Sequence, residues 1–260
     1  MPSRPGLLLL VLAIILLAQP AVAQSGRRGG GRAVAMGNAL PAPGLTPAFV
    51  GGAACTPISS PYGATTRYDG STRGGSGGGE DGTHGGMDLS LPDGTPLRAV
   101  ARGRLVASGE GGRMEGIYLW VLHLPQESGL GFPFLAKYQH LQARPSLPLG
   151  SEVMPGQVIA LSGETGTVGG HYGPLGYPHL HLTVRLLTPE GVERVAGDEF
   201  RLLRDTVLVD PLIIYLPGLM NPADAAALPE AAKRVPVAHV DAAGAARPSG
   251  ALAVWPVACP

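Results

Sequence analysis

His179 and His181 stand one residue apart in Pro178-His179-Leu180-His181-Leu182, and His84 precedes Asp88 in His84-Gly85-Gly86-Met87-Asp88. These segments supply three ligands for one divalent metal and leave a histidine over for proton transfer. A centre with only three protein ligands keeps a position open for water, as catalytic zinc sites do. On a strand, side chains at i and i+2 share a face about 6.6 Å apart along the chain. One histidine of the pair can therefore ligate while the other faces a bound substrate. Two histidines so spaced also serve as ordinary polar surface, and the pattern alone does not choose. His84 and Asp88 would share a helix face, but Gly85-Gly86 is poor helix sequence and the following residues alternate like a strand. They read as a loop histidine and a strand-start aspartate converging through a turn. The Asp88 charge partly offsets a dication and favours hydrolytic over redox chemistry.

The elements that must carry these residues are short. Met87 to Leu91 alternates apolar and polar before Pro92-Asp93-Gly94 turns the chain. Leu97 to Val106, Ile117 to Leu124, Phe134 to Leu141, Gln157 to Leu161 and His179 to Leu186 follow, each bounded by Gly or Pro. Strands of this length and spacing predict an all-β, antiparallel domain with little helix.

The first residues read as a targeting segment. Arg4, an apolar run from Leu7 to Ala18 and the small-x-small triplet Ala21-Val22-Ala23 describe a signal peptide cleaved after Ala23. The run falls short of the ~20 residues that span a bilayer, and no later stretch qualifies as a transmembrane helix. The expected location is therefore secreted or periplasmic. Residues 24–60 read as a low-complexity arm, 61–215 as the motif-bearing domain, and 216–260 as a Pro/Ala-rich tail. With 40 glycines and 26 prolines, the chain has the composition of long loops and flexible termini. A formal net charge of zero gives no basic surface for nucleic acid. Arg27-Arg28-Gly29-Gly30-Gly31-Arg32 is too short and unrepeated to change that. The only two cysteines, Cys55 and Cys259, lie outside the motif region; in an exported protein such a pair can form a disulfide. The sequence fixes no oligomeric state.

Taken in order, His84-Gly-Gly-Met-Asp88, Asp93-Gly-Thr-Pro-Leu-Arg-Ala-Val100, Tyr138-Gln-His-Leu141, Pro155-Gly-Gln-Val-Ile-Ala-Leu161, Gly163-Glu-Thr-Gly166, Pro178-His-Leu-His181 and Asp210-Pro211 form a series. It resembles the lysostaphin/LytM-type zinc metallopeptidases, peptidase family M23. The resemblance covers roughly residues 80 to 215. It implies a compact antiparallel sheet or barrel-sandwich domain, with Zn²⁺ held by His84, Asp88 and His181, and with His140 and His179 flanking the metal-bound water. It also implies a zinc metalloendopeptidase acting on peptide bonds of peptidoglycan stem peptides or cross-links. Two alternatives accompany it: a non-catalytic regulator of cell-wall amidases, and a peptidase for glycine-rich proteins. This chain departs from the family in a lengthened Gly169 to Tyr177 loop before the His-Leu-His strand, expected on the cleft rim, and in Glu164. Both bear on substrate preference rather than on the ligand set.

The other histidines carry less. His123, ending a strand, reads as a structural hydrogen-bonding residue, and Trp120 as core. His171 in the long loop reads as exposed, with substrate contact as the alternative, and His239 reads as part of the tail.

Overall fold

The computed structural model describes residues 39–73, 82–167, 170–187, 192–196, 199–202, 206–216 and 218–260; of 192–196 and 199–202 it describes the backbone alone. The signal segment 1–23, the arm up to residue 38, the glycine run 74–81 and Gly169 lie outside the described residues.

Seven strands form one sheet: β1 (Met87–Ser90), β2 (Gly103–Glu110), β3 (Ile117–His123), β4 (Phe134–Gln139), β5 (Glu152–Val153), β6 (His179–Leu186) and β7 (Val207–Val209). Their order is β7-β6-β4-β3-β2-β5, and every pairing is antiparallel. One edge of β6 lies against β4, while β1 pairs with its first half and β7 with its last residues. The sheet is open among the described residues, so the barrel part of the expectation is corrected: β5 and β7 are edge strands. Pro96–Arg98 and Val158–Leu161 form a separate antiparallel pair, as do Val192–Ala196 and Glu199–Leu202.

Alternation divides the main sheet into two faces. Leu119, Val121, Phe134, Ala136, Tyr138, Leu180, Leu182, Val184, Met87 and Leu89 turn into one buried cluster. Leu97, Ala99 and Val100, from the segment that pairs with Val158–Leu161, join the same core. The Tyr138 hydroxyl locks the two together: it accepts from Val100 N at 2.9 Å and donates to Arg98 O at 3.1 Å. The opposite face carries His179, His181, Thr183, Lys137, Trp120 and Asp88. It has its own smaller apolar cluster of Leu122, Leu135 and Leu187, against which Trp120 packs. Trp120 is thus only partly buried and does not belong to the main core.

The segments expected as arm and tail are structural over their described residues. Thr46–Phe49 runs parallel to Arg234–Val237, and Val235 and Val237 are fully buried. Trp255 is fully buried, edge-on to Phe49 at 5.1 Å. The apolar residues are sparse among Pro and Ala but alternate, and composition hid that. Ser59 and Ser60 bond to the backbone of Asp88, so the boundary drawn at 60/61 cuts a bonded segment. Cys55 and Cys259 are joined in a disulfide that closes a separation of 204 residues. His239, assigned to the tail, is buried with one ring nitrogen within 4.8 Å of both sulfurs. Ala223 to Ala232 forms two 3-10 turns, Pro222–Ala227 and Glu230–Lys233, interrupted at Leu228-Pro229. Among the described residues, no helix is long and apolar enough to cross a membrane.

His123 has the structural role expected of it. It is fully buried, stacks on Phe134 at 4.4 Å, and donates through Nδ1 to Arg102 O at 2.9 Å. A Cβ at Gly103 would lie 2.7 Å from that nitrogen, so the facing position must be glycine. Burial pushes the ring down to about 4, the hydrogen bond to Arg102 opposing it. The native state therefore holds His123 neutral, whereas the unfolded chain protonates it near 6.5. Its contribution to stability is complete above about pH 6.5 and falls away towards pH 4, by about 3 kcal/mol. Thermal melts should show His123→Asn losing Tm less steeply than wild type across that window; parallel curves would refute the assignment. Opening the disulfide by Cys55→Ser with Cys259→Ser should cost on the order of 2–5 kcal/mol and lower Tm by roughly 5–15 °C, measured calorimetrically.

Candidate metal centre

Strand register builds the centre. In the β1–β6 ladder Asp88 lies directly opposite His181, and Ser90 opposite His179. His84 arrives from the turn before β1, its backbone paired with Gly63 and Ala64 of the preceding segment. Gly86 lets this turn approach β6: a Cβ there would lie 2.5 Å from Leu182 O and 2.8 Å from His181 Nε2.

The donor atoms converge. His84 Nε2 lies 3.0 Å from His181 Nδ1 and 3.0 Å from Asp88 Oδ1, and His181 Nδ1 lies 2.8 Å from Asp88 Oδ1. The outer partners bear on the tautomers, and that of His84 fixes its own. His84 Nδ1 donates to Pro61 O at 2.9 Å, and His181 Nε2 lies 3.0 Å from Thr183 Oγ1, a hydroxyl that accepts from it in the tautomer whose Nδ1 is bare. Both inner nitrogens are then bare acceptors, facing a carboxylate oxygen that is also an acceptor. Three lone pairs at hydrogen-bond distance with no proton among them repel unless a cation sits between. Two imidazole nitrogens and one carboxylate oxygen form a donor set that zinc accepts in catalytic centres. The residues therefore fit a divalent metal. Cys55, His239 and Cys259 also cluster, but the disulfide occupies both sulfurs.

The electrostatics agree. Burial alone would raise the Asp88 carboxyl, yet attraction and hydrogen bonds from His84 and His181, when an inner nitrogen carries a proton, hold it well below the usual carboxylate range. Asp88 is thus ionised whether a proton or a cation stands between the three atoms. Burial pushes His181 down to about 4, although Asp88 opposes it. A neutral imidazole beside an ionised carboxylate is the state a metal requires of its ligands.

His179 and His140 stand beside the centre. His179 Nδ1 donates to Tyr177 O at 2.7 Å, which leaves Nε2 bare, buried and 3.8 Å from Asp88 Oδ1. His140 Nδ1 donates to Thr165 O at 2.8 Å, and its ring centroid lies 4.4 Å from that of His179. His140 follows β4 at the position where plain alternation would send its side chain into the core. Its φ of 61°, rare for a residue other than glycine, turns the ring towards the centre instead. Burial lowers both rings, His140 well below its ordinary value with help from His179 and His181.

Two residues were missed by sequence reasoning. Arg73 is buried, bonds Asp88 Oδ2 at 3.3 Å and Ser60 Oγ at 2.7 Å, and so fixes the carboxylate from behind. An arginine at the edge of a glycine-rich run gives no spacing signal. Tyr172 lies in the long loop and stacks on His179 at 4.3 Å with 7° between the planes. The loop was read as a rim feature, and its exposed histidine as the alternative contact. His171 instead sits edge-on to Tyr177, and the neighbouring tyrosine covers the catalytic candidate.

Residues 82–193 match the model of Peptidase family M23. The match takes in the strands and histidines of this centre and supports an M23 family peptidase. Among solved structures it is similar to the catalytic domain of the antimicrobial peptidase lysostaphin from Staphylococcus simulans, at 23% identity over 55% of this chain and 84% of that one, with a TM-score of 0.36. LytU is similar at 24% identity over 56% and 79%, TM-score 0.36. Helicobacter pylori Csd3 is similar at 25% identity over 65% and 37%, TM-score 0.34.

Equilibrium dialysis against Zn²⁺ with elemental analysis should find one ion per chain, lost in Asp88→Ala. Arg73→Met removes only the partner behind the ligand, so affinity should fall about 10–100-fold without abolition. Undiminished binding in Asp88→Ala would place the ion elsewhere.

Proposed function

We propose that this chain is an exported zinc metalloendopeptidase that hydrolyses peptide bonds in peptidoglycan stem peptides or cross-links. The observation that carries the reading is one open set of three acceptor atoms flanked by two further neutral histidines with bare nitrogens. A purely regulatory protein has no need of the flanking pair, and this chain has ligands and pair together. The signal-like segment 1–23 supports export, and the family match supports peptide hydrolysis.

His84, Asp88 and His181 would hold the ion. Zinc in such a set supplies a Lewis acid for the scissile carbonyl and lowers the pKa of water from 15.7 to about 7. The chain's own residues supply the rest. His179 and His140, both neutral near pH 7, take a proton from the attacking water and return it to the leaving amine. Their carbonyl partners, Tyr177 O and Thr165 O, hold each Nδ1–H and so keep each Nε2 free for that transfer. As imidazolium, either also donates to the oxyanion of the tetrahedral intermediate. Tyr172, flat against His179, fixes the ring plane and keeps water off that face.

Purified protein incubated with muropeptide dimers should cleave them, and a chelator should abolish cleavage. Pentaglycine assayed beside them separates the glycine-rich alternative. His179→Ala and His140→Ala should each lower kcat about 10²–10⁴-fold while retaining the ion. Zinc-loaded protein that cleaves neither substrate would overturn the reading.

A further inference from the structure

The site face of the sheet continues beyond the metal centre as a row of aromatic and cationic side chains. In the β4–β6 ladder Gln139 lies opposite His181, and Lys137 opposite Thr183, the residue that accepts from His181 Nε2. Lys137 is therefore one same-face step along its strand from the position beside the ligand. On the next strand Trp120 is its direct partner. The Lys137 ammonium stands 4.6 Å from the centre of the Tyr118 ring and 5.2 Å from that of Trp120. Both rings are half-buried, and the core lies on the other side, beneath Ala136 and Tyr138.

A lysine on an outward sheet face ordinarily runs its stem along the surface and puts its charge in water. Lys137 does not: only 9% of the residue is exposed. Its ammonium is kept among the two rings and paired with Glu115. Burial accordingly pushes its pKa down, with Glu115 opposing and the nearby Arg185 adding to the fall. The Glu115 side chain is 36% exposed and belongs to the short turn between β2 and β3. An ammonium has three donors, so a second carboxylate can share it or displace Glu115. Two aromatic walls and one desolvated cation beside a hydrolytic centre make a receptor for an anionic group on an extended ligand.

We propose that Lys137, with Tyr118 and Trp120 as its walls, is a specificity-determining subsite for a free carboxylate of the peptide substrate. The proposal rests on the peptidase reading and names which peptides that site prefers: acidic ones over their amidated counterparts.

Trp120 supplies the readout, because the only other tryptophan, Trp255, is fully buried. The intact zinc-loaded protein is titrated with a muropeptide and with the same muropeptide carrying carboxamides in place of its free carboxylates. The initial tryptophan fluorescence change gives Kd, and cleavage of the same peptides gives KM and kcat. Wild type should bind the acidic peptide about tenfold more tightly, the difference appearing in KM rather than kcat. Lys137→Gln should bring the ratio close to one and leave the amidated peptide unaffected, while Lys137→Arg should restore part of it. Glu115→Gln removes the internal competitor and should increase the ratio; it also decides the matter if Lys137→Gln fails to fold. Equal Kd for both peptides in wild type, an unchanged ratio in Lys137→Gln, or no increase in Glu115→Gln overturns the subsite. Cleavage without discrimination sinks the subsite alone, whereas discrimination without any cleavage sinks the peptidase reading and leaves the subsite standing.

Discussion

The mutual repulsion of His84 Nε2, Asp88 Oδ1 and His181 Nδ1 governs the rest of this structure. These atoms lie 2.8–3.0 Å apart, and with Thr183 accepting from His181 no proton stands between them. An arrangement of that kind does not persist by itself. A cation at its centre would relieve the repulsion, and a stiff scaffold holds the three atoms ready for one. The scaffold comes chiefly from the β1–β6 ladder, which fixes Asp88 opposite His181 through backbone bonds independent of either side chain. A one-residue slip of β1 against β6 would send Asp88 to the core face, so the hydrophobic alternation of Met87, Leu89, Leu180 and Leu182 also enforces the geometry of the centre.

Further constraints act from outside the sheet. Arg73 neutralises the buried side of Asp88, and Ser59 and Ser60 anchor the backbone beside it. These residues belong to the segment preceding β1. Cys55, a few positions earlier, is bonded to Cys259 and so couples that segment to the C-terminal one. Trp255 against Phe49 does the same by packing. The elements that orient the ligands thus reach beyond the region that the motifs mark out.

That separation explains what was legible in the sequence. The strands Met87–Ser90, Ile117–His123, Phe134–Gln139 and His179–Leu186 were readable because alternation and turn residues agree there. The pairs His84–Asp88 and His179–His181 were readable as ligand types at short spacing, while the choice of His181 as the third ligand came from the resemblance to family M23. Arg73 and Tyr172 were not, since each acts through a contact between segments distant in sequence. The terminal strands were lost for a different reason. Thr46–Phe49 and Arg234–Val237 are short and rich in Pro, Ala and Val, and their order comes from mutual pairing and from packing against distant residues such as Trp255. Composition reported flexibility where partnership supplies structure. His140 escapes simple periodicity too, because a left-handed backbone turn aims its ring against the alternation of its own strand.

Tyr172 shows what the lengthened loop adds. Ser59 Oγ donates to Tyr172 O at 2.8 Å, and the Arg67 guanidinium bonds the phenol hydroxyl, lowering its pKa against the rise that burial imposes. Asp69 receives the backbone N–H of His171 at 3.3 Å. The loop is therefore fastened to the segment before β1, the same segment that carries Arg73. One stretch of chain then holds Asp88 from behind through Arg73 and holds His179 from the side through Tyr172. Asp88 and His179 are positioned by a common support, so displacement of residues 59–73 would disturb both together. Such coupling makes a precise centre out of side chains drawn from a strand, a turn and a long loop, where each element alone would leave its residue free to wander.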